Sequence, residues 1–444
     1  MSDEAHERLT ATQAAAAVRD GRLTARELTE ACLACIDRLE PTIGAWAFLD
    51  RDRALAQADT ADDWHRHGRP HGPLHGVPVG IKDIFDTADM PTEDGTVLHA
   101  GRTPRRDAAV VARLRQAGAI IMGKTVTTEL ALYSPGRTAN PLDPGRTPGG
   151  SSSGSAASVA AHMVPLAVGS QSNGSVIRPA SFCGVYGFKP SHGLIPRTGV
   201  LRLSRTLDQV GVFARTLEDV ALIGECLVGF DEGDPDTKPV ARPPLVEIAT
   251  SAPPLSPRLA FVPSPAWDQA DTTTQAAFAE LAEALGERIE RIDLPPPFAN
   301  AVEWHRIILE ADIAVSFAEE YQRGRDALSP QLREMIERGR RHLAYDYLRA
   351  INAVAVLNNA LDELFSACDA IITPAAPGVA PPGLGSTGSP AFCTLWTLCG
   401  TPALAVPLLQ DGAGLPIGVQ LVGARGNDAR LLRTANWLVS QHLS

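Results

Sequence analysis

Residues 147–180 read Thr147-Pro-Gly-Gly-Ser-Ser-Ser-Gly-Ser-Ala-Ala-Ser-Val-Ala-Ala-His-Met-Val-Pro-Leu-Ala-Val-Gly-Ser-Gln-Ser-Asn-Gly-Ser-Val-Ile-Arg-Pro-Ala180. Two Gly/Ser clusters, Gly149–Ser155 and Gly169–Ser175, flank a small-residue run, Ala156–Ala161, and a short apolar run, Val164–Val168. Alanine-rich segments favour helix, and short Val-containing apolar runs favour strand. The pattern predicts a helix and a strand that hold two hydroxyl-rich loops at a fixed separation. Loops without bulky side chains let a substrate approach backbone N–H groups closely. A flexible Gly/Ser linker would not continue into an ordered apolar run and a second cluster.

Gly150-Ser151-Ser152-Ser153-Gly154 also fits G-x-S-x-G, the turn that exposes a serine nucleophile at the end of a strand. That turn needs a strand running into it, and the preceding Asn140–Pro148 carries prolines at 141, 144 and 148, which a central strand does not tolerate. A serine-rich run matches such an expression by chance.

Upstream, Gly76-Val-Pro-Val-Gly-Ile-Lys82-Asp83 is an apolar stretch ending in a lysine. A serine hydroxyl becomes nucleophilic only when a base removes its proton. None of the eleven histidines stands in a recognisable relation to Ser175; His162, His192 and His442 have no motif around them. A lysine serves if desolvation keeps it neutral. From the residues alone, Lys82 reads equally as such a base or as a strand-end lysine paired with Asp83 or Asp86.

Taken together, Gly149-Gly-Ser-Ser-Ser-Gly-Ser-Ala156, Ser172-Asn-Gly-Ser175 and the Lys82 strand resemble the amidase signature family. Ser153 and Asn173 stand where the family has glycine. Phe182-Cys-Gly-Val-Tyr-Gly-Phe-Lys-Pro190 and Gly414-Leu-Pro-Ile-Gly-Val-Gln-Leu-Val-Gly423 also match family segments, so the resemblance runs from about Leu9 to the C-terminus. It implies Ser175 as nucleophile, Lys82 as base and Ser151 as the bridge between them, with a cis peptide at Gly150–Ser151. It implies an oxyanion hole from the backbone N–H groups of Ser172, Asn173, Gly174 and Ser175, and a reaction that needs no metal or organic cofactor. The implied fold is α/β: one large domain over 1–444 with a mixed β-sheet covered by helices on both faces. Within it lie an N-terminal helical segment (1–70), the catalytic signature region (71–200) and a surface connection (228–257). The expected activity is hydrolysis of a small-molecule amide through an acyl-enzyme; carbamates, urea-type amides and esters fit the same chemistry. A homodimer is also expected from the resemblance.

The same family includes the amide-hydrolysing component of tRNA-dependent amidotransferases. Those chains carry Asp where this one has Gln171, and Ile-Arg-Gln after the serine where this one has Val176-Ile177-Arg178. Arg178, three residues past Ser175, shares its face if a helical turn begins there. It is the expected binder of a carboxylate-bearing substrate, with a bracing role against a core acid as the alternative. Some family members acting on small carboxylated amides carry the same Ser-x-x-Arg-Pro pattern.

The whole chain sets wider bounds. With 444 residues, 44% hydrophobic and 20% charged, it builds a large core. A net charge of −11 offers no footprint for nucleic acid or an anionic membrane. No apolar run approaches a membrane span, and the acidic Met1–Glu7 lacks signal-peptide features. Seven cysteines without framework spacing point to reduced thiols and a cytoplasmic setting. Cys32-x-x-Cys35 lies in a helical apolar pattern and reads as core. Gly118-Ala-Ile-Ile-Met-Gly-Lys124-Thr125 fits the P-loop expression, but Ala-Ile-Ile-Met is a buried strand and offers no phosphate-cradling loop. Elsewhere, Gly21 and the Thr24-x-x-Glu27 capping box predict two helices over 10–40, with Pro41 ending the second. Strands are expected at 119–122, 185–188, 258–262, 370–373, 402–407 and 417–422, and helices through most of 301–366 with a break at Ser329-Pro330.

Overall fold

The strand expected over 119–122 starts at Ile120 and continues through Gly123 to Lys124 and Thr125. In the computed structural model, which describes residues 6–442, eleven strands form one mixed sheet. They are β1 (Trp46–Leu49), β2 (Pro78–Lys82), β3 (Ile120–Thr125), β4 (Leu166–Gln171), β5 (Tyr186–Lys189), β6 (Gln209–Ala214), β7 (Leu259–Phe261), β8 (Ile289–Arg291), β9 (Ala370–Pro374), β10 (Ala403–Gln410) and β11 (Pro416–Val422). Their order is β1-β3-β2-β4-β6-β5-β10-β11-β9-β7-β8. β3, β2 and β4 run parallel, as do β9, β7 and β8. The centre of the sheet, from β4 through β6, β5, β10 and β11 to β9, is antiparallel. Every residue of β2, β3, β6 and β9 is buried, as expected of strands covered by helices on both faces. Parallel strands end at one edge, and ligand sites form there.

The helices follow their sequence signals with two exceptions. Thr24 and Glu27 form the expected capping box. The helix they start does not stop at Pro41: it runs Ala25–Ile43. Proline removes one backbone donor, and so near the end the loss is small. Gly44, left-handed at φ 62°, ends the helix instead and donates to the Glu40 carbonyl. The segment 228–257 contains a short helix, Leu245–Thr250, with Leu245 and Ala249 buried. Ser329 caps a helix that opens with Pro330, which explains the break expected there. Cys32 and Cys35 are buried; the Cys35 thiol contacts the Ala161 carbonyl oxygen. Among the described residues, no helix is long and apolar enough to cross a membrane.

The two Gly/Ser clusters meet through this scaffold. The helix expected over Ala156–Ala161 begins earlier, at Ser153, and runs to Ala160, so the first cluster is its N-terminal turn. The strand expected to end at Val168 continues to Gln171 and carries Ser170 into the second cluster. Gly169 must be glycine: a Cβ there would lie 2.6 Å from Ser152 Oγ and 2.7 Å from the Phe213 ring.

Candidate active site

β2 and β4 pair in parallel, Ile81 opposite Val168, so Lys82 leaves β2 beside the end of β4. Lys82 is fully buried. Its Nζ lies 2.7 Å from Ser151 Oγ and 2.9 Å from Ser170 Oγ. Among the described residues, no carboxylate lies within ion-pair distance of it. Burial pulls its pKa well below the ordinary lysine value, opposed by the more distant charge of Asp208. The expected alternative partner is taken: Asp83 bonds Lys124 at 3.2 Å, and Asp86 bonds Arg102 at 2.7 Å.

Ser151 follows a cis Gly150–Ser151 peptide. Its carbonyl accepts the Thr128 N–H at 3.3 Å. Gly150 is crowded as well: a Cβ there would sit 2.6 Å from Thr387 Cγ2. Ser152 makes no hydrogen bond to Lys82; it exchanges hydrogen bonds with the backbone N–H and C=O of Ser170 at 3.3 and 3.2 Å.

The turn Ser172–Ser175 comes directly after β4. Gln171 shapes it from behind. Its Oε1 accepts the N–H groups of Val176 and Ile177 at 2.8 and 3.0 Å, and its Nε2 donates to Thr397 Oγ1 at 2.9 Å. Thr397 in turn donates to the Asn173 carbonyl. No N–H of Ser172, Asn173, Gly174 or Ser175 donates a hydrogen bond to any described residue. Four successive backbone donors are thus left without a partner among the described residues. The Asn173 side chain does not bond them. Its Nδ2 donates to Tyr133 Oη at 2.9 Å, and its Oδ1 accepts from Thr394 Oγ1 at 2.7 Å. Ser175 is half-buried, and its hydroxyl makes no hydrogen bond to Ser151 or to any other described residue.

Sequence reasoning missed the histidine that touches this turn. His305, on the helix Ala301–Ser316, donates from Nε2 to the Ser172 carbonyl at 2.8 Å. Burial pulls its pKa down to about 4, so it is neutral. It is 133 positions from Ser172 and has no motif, and no local signal marks it. Asp208 was missed too. It is half-buried, and its carboxylate accepts from Ser172 Oγ at 2.5 Å and from the N–H groups of Leu203 and Ser204. Burial raises its pKa to about 6.

Arg178 lies in the helix Ile177–Cys183 and is 2% exposed. Its Nη2 donates to the Gly150 carbonyl at 2.6 Å and to Thr387 Oγ1 at 3.2 Å. Nε and Nη1 have no hydrogen-bond partner among the described residues. A Cβ on Gly174 would lie 3.2 Å from Nη1, which places that donor against the Ser172–Ser175 turn. Among the described residues no core acid pairs with Arg178; a backbone carbonyl does.

Consecutive residues of the turn line two cavities. Asn173, Tyr133, His305 and Thr394 line one of about 480 Å³ beneath the helices of 301–339. Ser172, Ser170 and Asp208 line another of about 350 Å³. A wider groove of about 1170 Å³ near His192 and Tyr347 contains none of Lys82, Ser151 or Ser175. Among the described residues, no cluster of His, Cys, Asp and Glu has the arrangement to hold a metal ion.

The amidase family model matches residues 27–432. The chain belongs to the amidase signature family. A glutamyl-tRNA(Gln) amidotransferase component from Chloroflexus aurantiacus is 35% identical, over 96% of this chain and 95% of that protein. Among solved structures, a chain of a vestigial protein complex that reveals the origins of an s-triazine catabolic enzyme superposes with a TM-score of 0.91 at 28% identity, covering 97% and 98% of the two chains. The peptide amidase of Stenotrophomonas maltophilia superposes at 0.86 with 27% identity, covering 98% and 97%. The amidase signature fold, one α/β domain with a large mixed sheet, is therefore that of this chain.

Proposed function

We propose that this amidase signature hydrolase cleaves a small-molecule C–N bond through an acyl-enzyme on Ser175. The observation that carries this reading is the buried Lys82, bonded to hydroxyls and to no carboxylate, beside a turn of free N–H groups. Neutral Lys82 takes the Ser151 proton as Ser151 takes that of Ser175, and Ser175 Oγ attacks the carbonyl carbon. The N–H groups of Ser172–Ser175 receive the oxyanion; one such donor is worth about 2.7–4 kcal/mol of barrier. The proton returns through Ser151 to the leaving nitrogen, the C–N bond breaks, and water then releases the acid by the same relay. The Ser151–Ser175 link forms in the substrate complex, since catalytic hydrogen bonds tighten on binding. The unpartnered donors of Arg178 favour a small amide with a carboxylate or similar acceptor at its acyl end. A panel of small amides, carbamates and esters, read by turnover and by intact mass, tests this. Turnover of none of them by the isolated chain would overturn it.

A second reading rests on the 35% identity to the amidotransferase component. In it the same relay releases ammonia inside an assembly with partner chains. Gln171 and Val176-Ile177-Arg178 depart from the amidotransferase pattern and favour the first reading. Activity of the purified chain alone separates the two.

A further inference from the structure

We propose that Ser170 is a positioning residue: its hydroxyl accepts an N–H of neutral Lys82 and so turns the amine's lone pair onto Ser151. The inference rests on the base role proposed for Lys82. A neutral primary amine has two N–H bonds and one lone pair. Only the lone pair takes a proton, so an amine acting as base must present it to Ser151 and send its hydrogens elsewhere. Nζ has two hydroxyl neighbours, Ser151 at 2.7 Å and Ser170 at 2.9 Å. Nothing in the lysine chain itself selects between them. An acceptor at Ser170 does so by fixing one N–H.

The surroundings of Ser170 suit an acceptor. Its backbone is pinned on both sides, by β6 through the Ser170–Val210 pairing and by Ser152, which bonds its N–H and its C=O. Its side chain is half-buried and lines the cavity of about 350 Å³ that also holds Asp208. The cavity leaves the Ser170 hydrogen room to point away from Lys82, with the oxygen lone pairs available to the amine. Ser152 acquires a role in the same arrangement: it holds Ser170 in place without touching the lysine.

The test compares Ser170→Ala and Ser170→Thr on any small amide the parent turns over, across pH. Ser170→Ala should lose about 10- to 100-fold in kcat, the scale of a misplaced reacting group, with KM within about twofold and thermal stability close to the parent. Its acid limb should move to lower pH, because the ammonium loses an acceptor that the neutral amine needs less. Ser170→Thr keeps the hydroxyl, and β-branched residues suit strands, so it should recover most of the lost kcat. A Ser170→Ala kcat within twofold of the parent, a loss carried by KM, an unfolded variant or a threonine variant no better than alanine would each overturn the proposal. Lys82→Met separates the two levels. If Lys82→Met is inactive while Ser170→Ala is fully active, only the role of Ser170 falls. If Lys82→Met turns over normally, the base assignment falls as well.

Discussion

Lys82 and Lys124 sit on neighbouring parallel strands, with Lys124 opposite Ile81 and Thr125 opposite Lys82. Both are fully buried. Lys124 has Asp83 at 3.2 Å, the Phe85 and Pro91 carbonyls at 2.9 and 3.2 Å and Thr92 Oγ1 at 2.6 Å. Lys82 has two serine hydroxyls and no acid. Burial disfavours the charge on both, but only Lys124 receives a carboxylate and carbonyls in return. Burial raises Asp83 to about 6, opposed by the neighbouring charge of Lys124. One strand end thus pairs its lysine with an acid, while the next surrounds its lysine with hydroxyls alone. A third buried lysine, Lys189, lies between these cases. It has the Gln209 side-chain oxygen and the Thr401 carbonyl as acceptors, and burial lowers it to about 7.

Methionine at each of the first two lysines gives the strongest contrast. Lys82→Met should fold normally and lose about 10³-fold or more in kcat. Lys124→Met should leave Asp83 as an unpaired buried charge and cost about 3–5 kcal/mol in denaturant unfolding, with kcat of the folded fraction within a few-fold of the parent. Matching Lys82→Met, Ser175→Ala and Ser151→Ala should each be near-inactive, and double variants should lose little more than singles. Near-parental turnover in Lys82→Met would erase the difference between the two lysines.

The pH profile sharpens the same contrast. Only the neutral form of Lys82 is a base, so activity is low below its pKa in the folded enzyme and rises as pH climbs through it. Burial lowers that pKa, so the midpoint of the acid limb should fall well below the 10.5 of an ordinary lysine. A limb at or above that value in kcat against pH would mean that burial does not neutralise Lys82.

Arg178 is the next largest effect. Arg178→Met and Arg178→Lys should lose about 1.5–3 kcal/mol in kcat/KM on a carboxylated amide, and much less on its neutral analogue. Equal losses on both substrates would assign Arg178 to holding the Gly150 carbonyl alone. The smallest effect belongs to Ser152→Ala, which removes two long hydrogen bonds to the backbone of Ser170 and should cost about 1 kcal/mol. A variant as inactive as Ser151→Ala would restore the G-x-S-x-G reading of Gly150–Gly154.

What was legible in the sequence is what local chemistry encodes. Apolar runs marked β2, β4, β10 and β11, and capping residues marked the helix at Ala25. The spacing of the two clusters and the lysine brought Lys82, Ser151 and the Ser172–Ser175 turn to one edge of the sheet. β6 escaped notice because Gly211 interrupts its apolar run; that glycine is required where Val176 and the Phe188 carbonyl crowd it. His305, Thr394, Thr397 and Asp208 bond the turn from distant positions, where no periodicity or spacing announces a contact. The partners of Lys124 were equally hidden, since a strand-end lysine reads the same with or without an acid beside it.

The central claim is that Ser175, activated through Ser151 by Lys82, carries the acyl group. Its most direct test is to quench the enzyme during turnover of a small amide or its activated ester, digest it, and locate the added acyl mass by peptide mapping. The account predicts the adduct on Ser175, present in the parent and absent from Ser175→Ala and Lys82→Met. An adduct on Ser151 or Ser152, or one that persists in Ser175→Ala, would contradict it.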